Sequence, residues 1–285
     1  MCPQATVKLP GGWLDVAGDC HPEATIRPLA GRDEEWLYGM PGDTPLATLV
    51  TDLLLRCVGR LGPSRPDRDI IGSLLVADRG YLMLKLHQAT FGGRMEMVLT
   101  CPRPACEARM DVDFQLDDLP VRRDPQQPSY RLECDGTWPD VRFRLPRGSD
   151  LEEVRAGPGA ATALLERCVL VRAEGGDGLN EELRTSLEAE MERRSPGVDC
   201  DIEAACPECG HVFEAVYDPV TCLFADIWRQ RPEFERDVHL LSFYYHWPLS
   251  EILRMTRPRR RAYVALLERQ HDLAGAGAAA TGWAS

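Results

Sequence analysis

Apolar residues recur at helical spacing over residues 44–60, where Leu46, Leu49, Val50, Leu53, Leu54, Cys57 and Val58 share one face. Thr44 before Pro45 suits an N-cap and first helical position, with Gly59 and Gly62 as the stop. Leu74, Leu75 and Val76 lead to Asp78, an N-cap for a helix over 79–90 that Gly92 and Gly93 end. Residues 95–100 and 110–116 read as two strands. Residues 1–25, rich in Gly and Pro, predict irregular structure, and 63–69 and 122–127 read as linkers. In the second half, Val141, Phe143 and Leu145 alternate like a strand. Residues 160–171 and 181–194 are helical by pattern, and 200–205 and 212–217 repeat the strand pair. Helices over 219–229, 233–246 and 257–271, with a short turn near 248–255, close the chain. Residues 272–285, largely Ala and Gly, predict a disordered tail.

The halves echo each other. Arg27-Pro28-Leu29-Ala30-Gly31-Arg32-Asp33-Glu34-Glu35 parallels Arg144-Leu145-Pro146-Arg147-Gly148-Ser149-Asp150-Leu151-Glu152-Glu153. Leu54-Leu55-Arg56-Cys57-Val58 parallels Leu164-Leu165-Glu166-Arg167-Cys168-Val169. Such strings suit any amphipathic helix, so coincidence is the bland reading. Three matches in one order, counting the cysteine turns described next, favour duplication. Cys57 and Cys168 sit on apolar faces and read as core.

Cys101-Pro102-Arg103-Pro104-Ala105-Cys106 and Cys206-Pro207-Glu208-Cys209-Gly210 each open a tight turn between candidate strands, the layout of a zinc ribbon. Turns of this kind aim backbone amides at sulfur and favour thiolates. Four thiolates at about 2.3 Å make a closed tetrahedral zinc site, structural because no position is left for water. The competing reading of Cys206 and Cys209 as a redox pair needs a helix after them, and His211 to Val216 reads as a strand instead. His211 is an alternative ligand. Cys2, Cys20, Cys134, Cys200 and Cys222 lack matched spacing and read as small buried hydrophobes.

Composition narrows the class. The 285 residues are 44% hydrophobic and 27% charged, as in a globular protein of one or two domains. No apolar run approaches the ~20 residues of a membrane helix, and the first residues lack the basic and apolar regions of a secretory signal. These predict a cytoplasmic protein. A net charge of -12 lowers the case for nucleic-acid binding. There is no Gly-rich phosphate loop, no His-Glu-x-x-His and no Gly-x-Ser-x-Gly. Acidic clusters such as Asp33-Glu34-Glu35 and Asp117-Asp118 are ordinary in helix first turns and loops. An enzyme is not expected.

The C-terminal part is dense in rings and arginines. His239 and His246, seven apart, read as packed histidines rather than ligands. The cluster of Arg254, Arg257, Arg259, Arg260 and Arg261 suits nucleic acid, an internal acidic patch or an acidic partner, and the net charge favours the protein contacts. Tyr244, Tyr245, Trp247, Arg257, Arg260 and Arg261 are the candidate partner-binding residues, being of the types enriched at interface hot spots.

Both cysteine turns, together with Val238-His239-Leu240, Tyr245-His246-Trp247, Glu251-Ile252-Leu253 and an Arg-rich helix holding Tyr263, resemble the baseplate proteins of contractile-tailed bacteriophages. Related proteins occur in phage-derived contractile injection systems, and the likeness is to zinc-ribbon-bearing members. The matching pieces span about residues 27–268, with a departure at Trp247-Pro248. The resemblance implies a non-enzymatic structural or chaperone-like role in baseplate hub assembly, in the bacterial host cytoplasm. Baseplate or hub proteins would be its partners, and retention in the finished particle stays open. The alternative is a zinc-ribbon nucleic-acid-binding regulator.

The expected fold is α+β: two pseudo-repeated, mainly helical lobes joined by a shared zinc ribbon, with a C-terminal helical segment. The expected divisions are an irregular segment at 1–26, a first repeat at 27–127, a second at 128–218, C-terminal helices at 219–271 and the tail at 272–285.

Overall fold

The N-terminal segment is a strand pair rather than irregular chain. In the computed structural model, which describes residues 4–132, 141–154, 157–171 and 179–280, β1 (Ala5–Leu14) pairs antiparallel with β2 (Cys20–Ile26). The register shifts between Lys8 and Trp13, so an irregularity absorbs Pro10, Gly11 and Gly12. Glycine is needed there because neighbours press close. A Cβ on Gly11 would lie 2.8 Å from the side chains of both Leu75 and Pro196.

After α1 (Gly31–Tyr38), α2 (Leu46–Cys57) runs directly into β3 (Val58–Leu61), which completes the sheet in the order β1-β2-β3. The helix ends before Gly59 because Val58 pairs with Ile26. Its N-cap is Pro45, and the Thr44 hydroxyl donates to the Pro41 carbonyl instead. Part of the expected linker is a short helix, α3 (Arg68–Ser73), capped by Asp67. The next helix, α4 (Val76–Phe91), begins before Asp78, which therefore does not cap it. The Asp78 carboxylate is buried and accepts the Gly11 N–H at 2.8 Å, tying the helix to β1. Gly92, at φ 105°, ends α4. The hairpin β4 (Arg94–Thr100) and β5 (Arg109–Gln115) follows, then β6 (Val121–Arg122).

The second half reuses this order. The strands β7 (Tyr130–Arg131) and β8 (Arg142–Phe143) precede α5 (Gly148–Glu153) and α6 (Ala160–Cys168), and α6 passes directly into β9 (Val169–Val171). These strands form a sheet in the order β7-β8-β9. Next come α7 (Glu181–Arg194), β10 (Gly197–Val198) paired with β6, and the hairpin β11 (Asp201–Ala205) and β12 (Val212–Val216).

The two halves make the same local bonds. Arg27 grips Asp33 with both terminal nitrogens at 2.6 and 3.1 Å, and Arg144 grips Asp150 at 2.6 and 2.8 Å. Each aspartate also accepts the N–H of its helix N-cap, Ala30 or Arg147. The Arg27 and Arg144 amides donate to the carbonyls of Cys57 and Cys168. Burial pushes these two thiols up to about 12 and about 11, as suits core residues without ligand chemistry.

The helix α8 (Pro219–Arg229) returns to the first half, where Leu223, Phe224 and Ile227 close a core with Leu53, Leu82 and Trp13. A second core holds Phe143, Cys168 and Leu187, and takes Leu75 from the first half. The last helices, α9 (Arg231–Tyr245), α10 (Leu249–Arg254) and α11 (Arg257–Ala280), have their own core of Leu241, Ile252, Val264 and Leu267. Between α9 and α10, His246 takes a left-handed turn at φ 53°, and Trp247 stacks on Tyr245 at 4.6 Å. Pro248 then caps α10, so the Trp247-Pro248 step is a helix break. The stretch expected as a disordered tail is helical as far as Ala280, consistent with the high helix propensity of alanine. Residues 281–285, Cys2 and Cys134 lie outside the described residues. The architecture is thus α+β. Among the described residues no helix is long and apolar enough to cross a membrane.

Burial raises the Asp78 carboxyl to about 7, against the pull of the Gly11 and Gly12 amides. A folded-state value above the unfolded one means that the folded chain holds the proton more tightly. The stability it contributes is full below about pH 4 and is lost as pH rises through 7. Urea unfolding of wild type should show this fall between pH 4 and 7, and Asp78→Asn should flatten it. An unchanged slope in the variant would place the titration elsewhere.

Candidate metal centre

The two hairpins turn at their cysteines. The Cys101 amide donates to the Ala108 carbonyl at 2.9 Å and the Cys206 amide to the His211 carbonyl at 2.9 Å, so each turn closes the ladder behind it. The residue after the second cysteine is left-handed in both turns: Gly210 at φ 67° and Glu107 at φ 49°. Glycine suits that conformation. Glutamate there carries a backbone cost of about 1–2 kcal/mol.

Four sulfurs meet between the hairpins. Cys101 Sγ lies 3.8 Å from Cys209 Sγ, and Cys106 Sγ lies 3.7 Å from Cys206 Sγ. All four fall within 4.8 Å of one another. A tetrahedron with bonds of about 2.3 Å has edges of about 3.8 Å, so the spacing suits one ion. Backbone amides add to the fit: those of Arg103, Ala108 and His211 bond to the sulfurs of Cys101, Cys106 and Cys209. The His211 amide leads in lowering the Cys209 thiol to about 7, whereas at Cys101 and Cys106 burial and the neighbouring sulfurs outweigh the amides and raise both thiols, Cys106 to about 12. Leu99, Met110 and Ala204 pack around the sulfurs, with Phe213 at the edge. An ion held by all four sulfurs has no position left for water, so its chemistry is that of a fastener.

Sequence spacing therefore found the four sulfurs that the fold brings together, whereas it was silent on Glu107. His211 stands apart from the cluster, its ring stacked over Phe213. Cys20, Cys57, Cys168, Cys200 and Cys222 are also outside it.

The C-terminal candidates divide. Arg260 is fully buried and pairs with the buried Glu34, while Arg257 stands 3.8 Å from Glu34 and 3.4 Å from Glu233. Arg261 reaches the buried Asp237 at 3.2 Å. Arg254 pairs with Glu251. Burial of Glu34 and Asp237 raises both carboxyls despite these arginines. Arg257, Arg260 and Arg261 thus answer carboxylates within the fold, while Arg254 and Arg259 are exposed. Tyr245 and Trp247 pack with Tyr263. Tyr244 is exposed, in contact with an exposed Phe243 that sequence reading did not single out. Exposure of one ring on an amphipathic helix leaves no local signal.

A family model described as T4 bacteriophage base plate protein matches residues 5–225, more than half of the chain. No curated protein and no solved structure matches it.

Purified chain should carry one zinc equivalent by elemental analysis, and Cys206→Ser should lose it. Chelation should lower the thermal midpoint, since a metal that binds only the folded chain would add its binding energy to folding. Persistence of full metal content in Cys206→Ser would contradict the four-sulfur set. In a second measurement, Glu107→Gly should raise stability by about 1 kcal/mol by relieving the left-handed glutamate. A loss of stability would show that its side chain does something the backbone argument misses.

Proposed function

The chain belongs to the T4 bacteriophage base plate protein family, and from that premise we propose that it acts as a non-enzymatic structural or chaperone-like part in assembling a contractile baseplate. The family match is the observation that carries this reading. In it, zinc on Cys101, Cys106, Cys206 and Cys209 forms a ribbon that locks the two hairpins and contributes stability rather than chemistry. Partners are baseplate or hub proteins of a contractile phage tail or injection apparatus, met in the bacterial cytoplasm. The docking surface is the end of α9, where Phe243 and Tyr244 are exposed beside the Tyr245 and Trp247 rings. Aromatic side chains of this kind supply interface energy at small entropic cost.

Charge placement speaks against the nucleic-acid alternative. Both hairpins turn acidic residues outward: Glu96, Asp111 and Asp113 on one, Asp201, Glu203 and Glu214 on the other. Arg257, Arg260 and Arg261, three of the five arginines that would contact phosphate, are paired with Glu34, Glu233 and Asp237.

Tagged chain expressed together with its neighbouring baseplate genes should recover one or more of their products. Phe243→Ser with Tyr244→Ser should lower that recovery at least tenfold while leaving the melting temperature and metal content unchanged. Recovery of bare chain alone from cells expressing the whole gene cluster would overturn the assembly reading. Salt-sensitive binding in a gel-shift assay would revive the alternative.

A further inference from the structure

The starts of α1 and α5 are each met by an arginine from a helix far along the chain, and the two arginines are answered differently. The Gly31 amide donates to the Met255 carbonyl at 2.9 Å, and the Gly148 amide to the Leu74 carbonyl at 3.0 Å. Ala30 forms an antiparallel bridge with Thr256, and Arg147 with Leu75. One turn beyond each bridge, an arginine passes over the glycine. A Cβ on Gly31 would lie 3.0 Å from Arg260 Nη1, and one on Gly148 would overlap the Arg79 guanidinium. The two places match in backbone and in cation.

They differ in the acid. Arg260 is fully buried and pairs with Glu34. Where the two loops are set in parallel, Glu34 corresponds to Leu151, so Arg79 meets no carboxylate at that place although it is only 3% exposed. Its Nη2 donates to the Ala47 carbonyl at 2.9 Å and to the Thr51 hydroxyl at 2.7 Å. Its Nη1 has no hydrogen-bond partner among the described residues. Glu152 reaches this arginine only through the Thr51 hydroxyl, and Arg68 engages it at 2.9 Å. A buried cation without its own counter-charge is costly, and a carboxylate brought beside it recovers part of that cost.

Space for one lies beside it. A cavity of about 820 Å³ is lined by both Arg79 and Leu151, with Leu46, Val50 and Leu164 along its apolar wall. That volume is in the range of small-molecule sites. Besides Arg79, the charged groups on its wall are carboxylates: Glu152, Asp43 and Asp218. Asp218 is occupied as the cap of α8, bonding the Val220 amide and the Thr221 hydroxyl, and both it and Asp43 are exposed to screening by solvent. They disfavour a ligand that carries more than one negative charge. A peptide would set its amides against a wall with few groups to pair them, whereas an aliphatic chain has none to pair. We propose that this cavity binds an aliphatic monocarboxylate, its carboxylate on the Arg79 guanidinium as Glu34 is on Arg260, and its chain along Leu46, Val50 and Leu164. The inference needs neither the metal nor the baseplate reading.

Decanoate is the probe, titrated into the full chain at neutral pH by isothermal titration calorimetry, with decanol as its uncharged match. One decanoate should bind per chain, about tenfold or more tightly than decanol, the difference that a hydrogen bond to a charged group makes. Leu151→Glu gives the chain its own counterpart of Glu34. It should raise the thermal midpoint and weaken decanoate binding by about tenfold or more. Leu164→Trp fills the cavity away from the arginine and should remove binding while keeping a cooperative melting transition. No decanoate binding to the wild-type chain, or equal affinity for decanoate and decanol, would overturn the proposal. So would binding that survives either substitution, since the ligand would then lie elsewhere.

Discussion

Two hairpins separated by about a hundred residues bring four sulfurs within 4.8 Å of one another, and the meeting of the halves is organised around that point. The hairpins are amphipathic, with one face on the sulfurs and the other in water. An ion held there by all four sulfurs would add its binding free energy to folding and would have no position left for a reacting ligand.

Away from the sulfurs, the structure relies on arginines inside the molecule. Arg27 and Arg144 hold their loops by gripping Asp33 and Asp150. Arg79 bonds the Ala47 carbonyl and the Thr51 hydroxyl, and Arg260 pairs with Glu34, each passing close to a helix-starting glycine. The guanidinium is suited to this because its planar fork can satisfy several acceptors at once and lie flat against backbone. Burial lowers Arg79 to about 10, still far above neutrality, so the charge persists in the interior. The acidic excess of the chain lies elsewhere: Glu34 and Asp237 are matched by cations within the fold, while the carboxylates on the hairpins face solvent.

Much of this was written locally and was readable as such. Helix α7 falls at residues 181–194 and α8 at 219–229, where periodicity put them, because an amphipathic face and a capping residue such as Asn180 are short-range facts. Cysteine spacing identified the four sulfurs, since a tight turn between strands leaves few other roles for a Cys-Pro pair. Other features were settled only by contacts far along the chain. The Gly-Pro segment at the N-terminus became a strand because α4 and β10 close over it. Asp78 became a tie to Gly11 instead of a cap because β1 passes the end of its helix. Arg260 went from a surface candidate to the interior because Glu34, 226 residues away, waits there for it. Sequence determines what a segment prefers and which ligands it offers. Which neighbour satisfies each buried charge is decided by the tertiary fold, because that pairing depends on distances no local window contains.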